Sequence, residues 1–330
     1  MNGLGFLIWK LSNLPATDQV IRVLMATGVR WVSIKVADGI YKFNSLGGND
    51  KPLLAFIEAL RSAGIQVGGW HYVYALSSPG AQGDRIMERR EKLDLREILV
   101  NIEDPRFRDL STVDANNWAK VYMGKQHAGT TYGHCSHRFP VYHPYIPHNR
   151  MLRDPNMDAI TPMVYWEGAH NPVEQLRRSL TEYRAMSDKP FIPIGPTYAH
   201  AGWEPSVDDL LAFEDECFAQ GFPGRAYYSL DWVLQHGRQD WLNAIAQGEE
   251  TPPPLPPPVE PEEYTIVNCD WLNGRSMPEV VNEPGYGNKI VSLRAGQRVT
   301  NLKKASGDWL KCGLGPVECW MHGDYLEPVA

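Results

Sequence analysis

The run Ile98 to Asp104 holds the residues with the clearest capacity for chemistry, because an apolar stretch there ends in two carboxylates. If the run is a strand, alternation with a period of two sends Asn101 and Glu103 to the same side. Burial beside aromatic residues raises the pKa of a carboxyl group, and an acid that stays protonated can protonate a glycosidic oxygen. Glu103 is therefore a candidate general acid, assisted by Asn101. An ion pair of Glu103 with Lys35 or Lys10 is the alternative, since it would keep the carboxylate charged.

Ordinary glycoside hydrolysis by two acidic residues needs a second carboxylate. Glu167 follows the run Met163 to Trp166, and Asp231 lies just after the last strand predicted in the first 250 residues. Either residue can supply the second carboxylate, and the sequence leaves the choice open. Tyr165, which lies within the run before Glu167, is predicted to hold a substrate carbonyl or acetamido group.

Tryptophan and tyrosine are frequent at the predicted strand ends, together with lysine and histidine. Aromatic faces stack on the apolar faces of sugar rings, while polar groups bond the sugar hydroxyls. These ends therefore predict a carbohydrate-binding groove, although a chain with 11 tryptophans also places some of them there by chance. The predicted substrate contacts are Trp9, Lys35, His71, Tyr72, His143, Trp166, Tyr198 and Trp232.

Histidine and cysteine do not predict a metal centre. The run His134-Cys135-x-His137 matches no standard zinc ligand set, and the nearby proline and glycine indicate an exposed loop. The five cysteines are too few and too scattered for a disulfide framework, so reduced thiols are expected. A pairing of Cys312 with Cys319 across a hairpin stays open. We predict no metal and no cofactor.

Short β-branched runs alternate with amphipathic stretches over the first 250 residues. Eight such alternations in about 250 residues have the size of an α/β protein of the (β/α)8, or TIM, barrel type, whose active site lies at the carboxyl ends of the strands. A doubly wound open sheet is the alternative, but no G-x-G-x-x-G sequence follows a strand. The predicted strands are 4–9, 31–36, 66–73, 98–102, 139–142, 159–164, 191–195 and 225–229, and the predicted helices are 17–27, 50–63, 79–93, 112–127, 171–187, 206–220 and 234–247.

Proline marks a division of the chain. Seven of the thirteen residues from Thr251 to Glu263 are proline, and such a run favours a stiff polyproline II spacer over a proline-rich ligand for a partner. Residues 264–330 have short apolar runs separated by glycine, asparagine and proline, which predicts a small all-β barrel. The predicted domains are therefore 1–250 and 264–330, joined by a linker at 251–263.

Net charge and hydropathy limit the partners. A formal net charge of -7 gives no basic surface for nucleic acid or an anionic membrane, and no run approaches the roughly 18 apolar residues of a membrane span. The apolar run Gly3 to Trp9 lacks the basic segment and cleavage site of a signal peptide. We expect a protein made in the cytoplasm that acts at a cell wall, within a virion or after secretion by a non-classical route.

The first 250 residues resemble TIM-barrel glycoside hydrolases of the family 25 lysozyme kind, and also the family 18 chitinases. The resemblance lies in the runs 31–35, 67–72, 101–103 and 221–232. In those families the fourth strand ends in D-x-E with the Glu as catalytic acid, which implies that role for Glu103, with Asn101 in place of the Asp. The lysozyme Asp after the first strand is absent from Ile8-Trp9-Lys10. Trp166 stands at the Asp of the chitinase sequence M-x-Y-D.

Residues 264–330 resemble bacterial SH3-like domains over nearly their whole length. Leu272 to Ser276 is similar to the L-N-V-R-S opening of that family, and Trp309 to Lys311 and Trp320 to Leu326 follow in family order. Gly274 and the inserted stretch Met277 to Glu283 depart from the pattern. Such domains commonly bind cell-wall peptides, so the resemblance implies a targeting module that holds the barrel near its polymer.

These features together predict a cell-wall or polysaccharide glycoside hydrolase, lysozyme-like and phage-derived, with a wall-targeting module. Its expected partners are a polysaccharide or peptidoglycan for the barrel, and a wall peptide or glycan for the SH3-like domain. The alternative is a catalytically inactive glycan-binding or structural protein that keeps the barrel. Asn101 and Lys10, which replace expected acidic residues, motivate that alternative.

Overall fold

A computed structural model gives the structure of the protein and describes residues 1–45, 47–127, 129–247, 263–266, 271–275, 289–295, 297–314 and 317–328. The chain divides into two compact units, Met1–Glu250 and Thr251–Ala330. Residues 251–262 of the predicted linker lie outside the described residues, and Glu263 begins a strand. Among the described residues, no helix has both the length and the apolar character needed to cross a membrane.

The first unit is built on a closed sheet. Its strands are β1 (Gly3–Ile8), β2 (Trp31–Asp38), β3 (Tyr41–Lys42), β4 (Gln66–Tyr72), β5 (Glu97–Asn101), β6 (Thr131–His137), β7 (Ala159–Met163), β8 (Ile194–Pro196) and β9 (Gly224–Tyr228). Apart from the short antiparallel β3, neighbouring strands are parallel in the order β1-β9-β8-β7-β6-β5-β4-β2, and pairing of β1 with β2 closes the ring. The predicted (β/α)8 barrel is confirmed.

Helices connect the strands and cover the sheet. They are α1 (Thr17–Ala26), α2 (Lys51–Ser62), α3 (Pro79–Lys92), α4 (Thr112–Met123), α5 (His148–Leu152), α6 (Pro172–Arg184), α7 (Val207–Ala219), α8 (Leu230–Gln235) and α9 (Gln239–Gln247). Helix α2 shows why they pack on the sheet, because Leu53, Phe56, Ile57 and Leu60 recur at helical spacing and are all buried. The single helix predicted at 234–247 is in fact divided between α8 and α9.

The fifth barrel strand was wrongly predicted. Residues 139–142 were expected to form it, but Pro140–Tyr142 is a 3-10 turn and the strand is β6, several residues earlier. The sequence of β6 is mostly polar, yet the strand is buried, and two of its polar side chains have hydrogen-bond partners. Ser136 donates a 2.6 Å hydrogen bond to the Ile102 carbonyl, and the His134 ring bonds the His148 ring at 2.9 Å.

The inside of the barrel is filled with side chains, so the strand ends are the place left for a ligand. Trp31 is 1% exposed and belongs to an interior cluster with Trp70, Leu99 and Met163. Gly5 makes room for this ring, since a Cβ atom at Gly5 would lie 2.1 Å from Cε2 of Trp31. A second, larger apolar cluster includes the apolar residues that α2 buries.

The second unit is an antiparallel sheet. Its strands are β10 (Glu263–Ile266), β11 (Trp271–Arg275), β12 (Lys289–Arg294), β13 (Arg298–Ser306), β14 (Trp309–Leu314), β15 (Val317–His322) and β16 (Leu326–Pro328). They pair in the order β12-β11-β15-β14-β13-β10-β16. Cys312 and Cys319 lie directly opposite each other on β14 and β15, and both are buried free thiols. They belong to a small apolar core with Leu272, Leu293 and Met321.

Candidate functional site

The carboxyl ends of the barrel strands surround a cavity of about 250 Å³. Period-two alternation in β4 directs Trp70 and Tyr72 into it, and the end of β1 contributes the partly exposed Trp9. Asn101 ends β5, and Glu103 follows it two residues later on the same side. The cavity therefore combines aromatic walls with a carboxyl group, as the sequence predicts for a sugar-binding groove.

Glu103 has the environment that a general acid requires. Nδ2 of Asn101 donates a 3.1 Å hydrogen bond to Oε1 of Glu103. Burial raises the pKa of Glu103 above its ordinary value, and the Asn101 hydrogen bond and the charge of Lys35 oppose that rise without cancelling it. The carboxyl group therefore holds its proton to a higher pH than a glutamate in water.

Lys35 lies in the same cavity but makes its ion pair elsewhere. Its Nζ is 3.3 Å from Oδ1 of Asp38. The same Nζ also lies over three aromatic rings, at 4.4 to 5.5 Å from the centroids of Phe43, Trp70 and Tyr72. Among the described residues no ion pair joins Glu103 to Lys35, and Nζ of Lys10 lies instead over the Trp9 ring at 4.2 Å. The structure therefore does not contain the alternative ion pair of Glu103 with Lys35 or Lys10 among its described residues.

Tyr165 and Tyr228 line the cavity together with Glu103, whereas Tyr198, a predicted substrate contact, packs against both rings without lining the cavity. Tyr165 stacks on Tyr228 with ring centroids 6.2 Å apart, and Tyr198 meets Tyr165 edge-on at 5.4 Å. Burial raises the pKa of all three hydroxyl groups, so they stay protonated hydrogen-bond donors over the working pH range of an enzyme. Tyr165, which was predicted to hold a substrate carbonyl, lines the cavity with its hydroxyl group protonated.

The cavity continues into a second hollow of about 350 Å³, and Glu103, Met163 and Tyr165 line both. We call the two hollows together the Glu103 cleft. Glu167 lines the second hollow, where it accepts a 3.5 Å hydrogen bond from Tyr198 and contacts Nδ1 of His200. Of the two candidate second carboxylates, Glu167 is the one that lies in the cleft with Glu103.

Asp231, the other candidate, has a structural position. Its side chain accepts hydrogen bonds from the main-chain N–H groups of Trp9 and Lys10, at 2.9 and 3.2 Å. It is 1% exposed and lines neither hollow. Its carboxylate is therefore used to tie the end of β1 to the start of α8.

Three predicted substrate contacts are also structural. The His71 ring is buried between Tyr122 Oη at 2.9 Å and the Gly39 carbonyl at 2.8 Å, because it points away from the barrel interior. Trp166 is fully buried against Phe213. Trp232 stacks on His236 and Trp241, at 3.9 and 5.4 Å between ring centroids, and lies outside the cleft.

The histidine-rich segment is not the exposed loop that its composition suggests. His134 and Cys135 are buried in β6, with His134 bonded to His148 on α5. His143, a predicted substrate contact, lines the second hollow, and its ring stacks on His137 at 3.6 Å. Within the described ranges, no group of three or more potential ligand side chains has an arrangement suited to a metal ion.

Several cleft residues were missed by the strand-end reasoning. Tyr228 is the last residue of β9 and was available from the strand prediction itself. Trp70, by contrast, was among the tryptophans expected to border the groove, and it takes the interior position that its neighbour His71 does not. His137 and Arg138 were missed because the fifth strand was placed at 139–142 instead of at β6.

Comparison with solved structures finds the same barrel in several enzymes at low sequence identity. A putative chitinase A from Streptomyces coelicolor aligns with a TM-score of 0.54 and 13% identity, over 75% of this chain and 98% of that one. A class V chitinase from Pseudomonas fluorescens Pf-5 gives 0.54 and 8%, over 75% and 99%. The spore cortex-lytic enzyme of Bacillus megaterium QM B1551 gives 0.50 and 9%, over 74% and 73%.

These matches establish the shared fold, a (β/α)8 barrel of the kind found in chitinase structures. The three structures named above are two chitinases and a cortex-lytic enzyme, not the family 25 lysozymes that the sequence resemblance put first. No family model matches the chain, and no curated protein sequence matches it.

Proposed function

We propose that the barrel is a glycoside hydrolase that acts on a cell-wall or related polysaccharide, with Glu103 as its general acid. The observation that carries the proposal is the carboxyl group of Glu103, whose pKa is raised by burial in a cleft walled by Trp70, Tyr72 and Tyr165. Sugar rings stack on such walls, which would bring a glycosidic oxygen within reach of the acid. The names of the structural neighbours, chitinases and a cortex-lytic enzyme, support the same class of substrate.

The proposed reaction uses three residues of the cleft. Protonated Glu103 gives its proton to the glycosidic oxygen, the bond to the anomeric carbon breaks, and positive charge develops on the sugar ring. Water then adds to the anomeric carbon and gives a proton to the Glu103 carboxylate, which releases the shortened sugar and restores the acid. Asn101, which donates to Oε1, fixes the carboxyl group for this transfer. The hydroxyl of Tyr165 holds an acetamido or other carbonyl group of the substrate.

The developing positive charge needs a partner on the other side of the ring. Glu167 is the carboxylate that lines the same cleft, so it is the protein group proposed for this role. A substrate acetamido oxygen held by Tyr165 can take its place, since substrate-assisted hydrolysis is a known alternative to the two-carboxylate route. Glu167→Gln distinguishes these two routes, because it abolishes hydrolysis by the two-carboxylate route and leaves substrate-assisted hydrolysis largely intact.

We infer that the second unit is an SH3-like targeting domain for wall peptide or glycan, and that the chain belongs to a phage lysin type of enzyme. The seven-stranded antiparallel order and the small core around Leu272 and Leu293 suit such a barrel. Tethering would raise the local concentration of the barrel at its polymer. A chain that ends at residue 250 should then lose retention on purified walls while keeping turnover of short soluble oligosaccharides.

Purified peptidoglycan, chitin and acidic polysaccharides, incubated with the full chain over a broad pH range, provide the test. New reducing ends from at least one polymer, with a rate that falls as Glu103 loses its proton, would support the hydrolase. Binding without new reducing ends on any polymer would favour the alternative, a glycan-binding protein. That alternative is motivated by Asn101 and Lys10, which stand where acidic residues are expected, and the buried Lys35 cation in the cleft is a further observation in its favour.

A further inference from the structure

The second hollow of the Glu103 cleft contains a guanidinium group without a carboxylate partner. Arg138 follows β6 directly and lines this hollow together with Glu103 and His143. Its guanidinium lies 5.2 Å from the ring centroid of Phe139, and none of the described carboxylates lies within ion-pair distance of it. By contrast, the nearby Arg178 is paired with Glu182 at 2.8 Å.

The surroundings of Arg138 leave its charge largely uncompensated. Glu167 is the carboxylate that acts on it electrostatically, but Oε1 of Glu167 is in contact with the His200 ring. Burial raises the pKa of Glu103, so that group is neutral over a wider pH range than an ordinary glutamate. The stacked rings of His137 and His143 add no charge near neutral pH, because burial lowers the pKa of each, that of His137 to about 4.

Partial burial makes this charge costly. Loss of water around the guanidinium lowers the pKa of Arg138, which means that its surroundings oppose the charge that it carries. A charged group in that state is stabilised by an anion that enters the hollow. The planar fork of arginine matches a carboxylate through two parallel hydrogen bonds, which a neutral hydroxyl or acetamido group does not provide.

We propose that Arg138 binds a carboxylate carried by the sugar next to the bond that is cleaved, so that the cleft selects acidic glycans over neutral ones. Glu103 and Arg138 line the same hollow of about 350 Å³, which is large enough for about one substituted sugar ring. The carboxylate can belong to a lactyl ether on an amino sugar or to a uronic acid. This inference rests on the proposed function for its substrate, a polysaccharide, and adds the charge of that substrate.

Equilibrium binding tests it in the full chain, with Glu103→Gln as background so that no ligand is consumed. Three oligosaccharides of equal length serve as probes in calorimetry: one with muramic acid, one with a uronic acid and one of neutral N-acetylglucosamine. We expect an acidic probe to bind more tightly than the neutral one, and the acidic probe that binds identifies the source of the carboxylate. Replacing Arg138 by Gln should weaken acidic binding by about 10- to 100-fold and change neutral binding by less than about 2-fold.

Two further variants give the experiment its controls. Arg138→Lys keeps the charge and loses the fork, so it should recover only part of the affinity. Arg178→Gln removes a charge near the same hollow, but one already paired with Glu182, and it should leave the preference for acidic probes in place. Equal loss on acidic and neutral probes, an equal effect of Arg178→Gln, or no acidic preference in the parent chain would each overturn the inference.

Failure here is distinguishable from failure of the proposed function. If the full chain with Glu103 intact cleaves neutral and acidic polymers alike and Arg138→Gln changes neither rate, the hydrolase stands and the acidic selectivity is wrong. If it cleaves none of the polymers but acidic binding depends on Arg138, the anion site stands and the hydrolase is wrong.

Discussion

Replacing Glu103 by Gln is expected to stabilise the protein at neutral pH and to do so less at acidic pH. Burial raises the pKa of Glu103 in the folded state, whereas the unfolded chain has the ordinary glutamate value of about 4.3. The folded state therefore binds more protons than the unfolded state between these two pKa values, and stability falls as the pH rises through that window. Gln does not titrate, so the variant escapes this loss.

The size of the effect follows from the ionisation equilibrium. Each tenfold difference in the ionisation constant of Glu103 between the folded and unfolded states changes the free energy of unfolding by about 1.4 kcal/mol. For a domain of this size, such a change moves the Tm by roughly 3–5 °C. Gln keeps the side-chain oxygen that accepts from Asn101, so the substitution removes the titrating group with little loss of packing.

The assay is calorimetric unfolding of both proteins at pH 4, 6 and 8. The Tm difference between Glu103→Gln and the parent should increase with pH over this series. Glu58→Gln, which replaces an exposed glutamate of α2, is the matched control and should show no such trend. A Tm difference that decreases with pH would mean that the Glu103 carboxylate is stabilised as an ion pair, and would refute this reasoning.

Three further substitutions test the roles of other residues. Asp231→Ala leaves two main-chain N–H groups without their acceptor and should lower the free energy of unfolding by about 1–3 kcal/mol; an unchanged stability in urea titration would contradict its tethering role. Trp166→Ala opens a cavity in the core and should lower the free energy of unfolding by about 3–5 kcal/mol. If this variant instead lost sugar binding with unchanged stability, Trp166 would be a substrate contact and the structural role would be wrong. Lys35→Met removes a charge that lowers the pKa of Glu103, so the alkaline limb of the pH–rate profile should move to higher pH, and a shift to lower pH would contradict that electrostatic coupling.

The barrel could be predicted from the sequence because eight alternations of strand and helix leave a strong periodic pattern. The same pattern predicted Glu103 and Asn101 together, since one strand register decides both. It failed at β6, whose polar residues are buried through contacts with Ile102 and His148 that lie far away in the chain. Arg138 was missed for the same reason.

Strand parity explains the errors among the predicted contacts. Neighbours on one strand point to opposite sides, so His71 and Tyr72 cannot both enter the cleft, and the interior side belongs to Tyr72. Trp166 lies beyond the end of β7, where the chain has left the strand and the parity no longer applies. Asp231 lies in the first turn of α8 and accepts hydrogen bonds from main-chain N–H groups at the end of β1. The direction of its side chain depends on this tertiary contact, which the sequence pattern does not predict.

The most direct test of the central claim is the release of reducing ends by the parent chain and by Glu103→Gln, on the polymer that the parent cleaves fastest. General acid catalysis contributes about 100- to 10,000-fold to such reactions, so the variant should be slower by at least about 100-fold while it binds the same polymer equally well. Equal turnover by the two proteins would contradict the assignment of Glu103 as the acid.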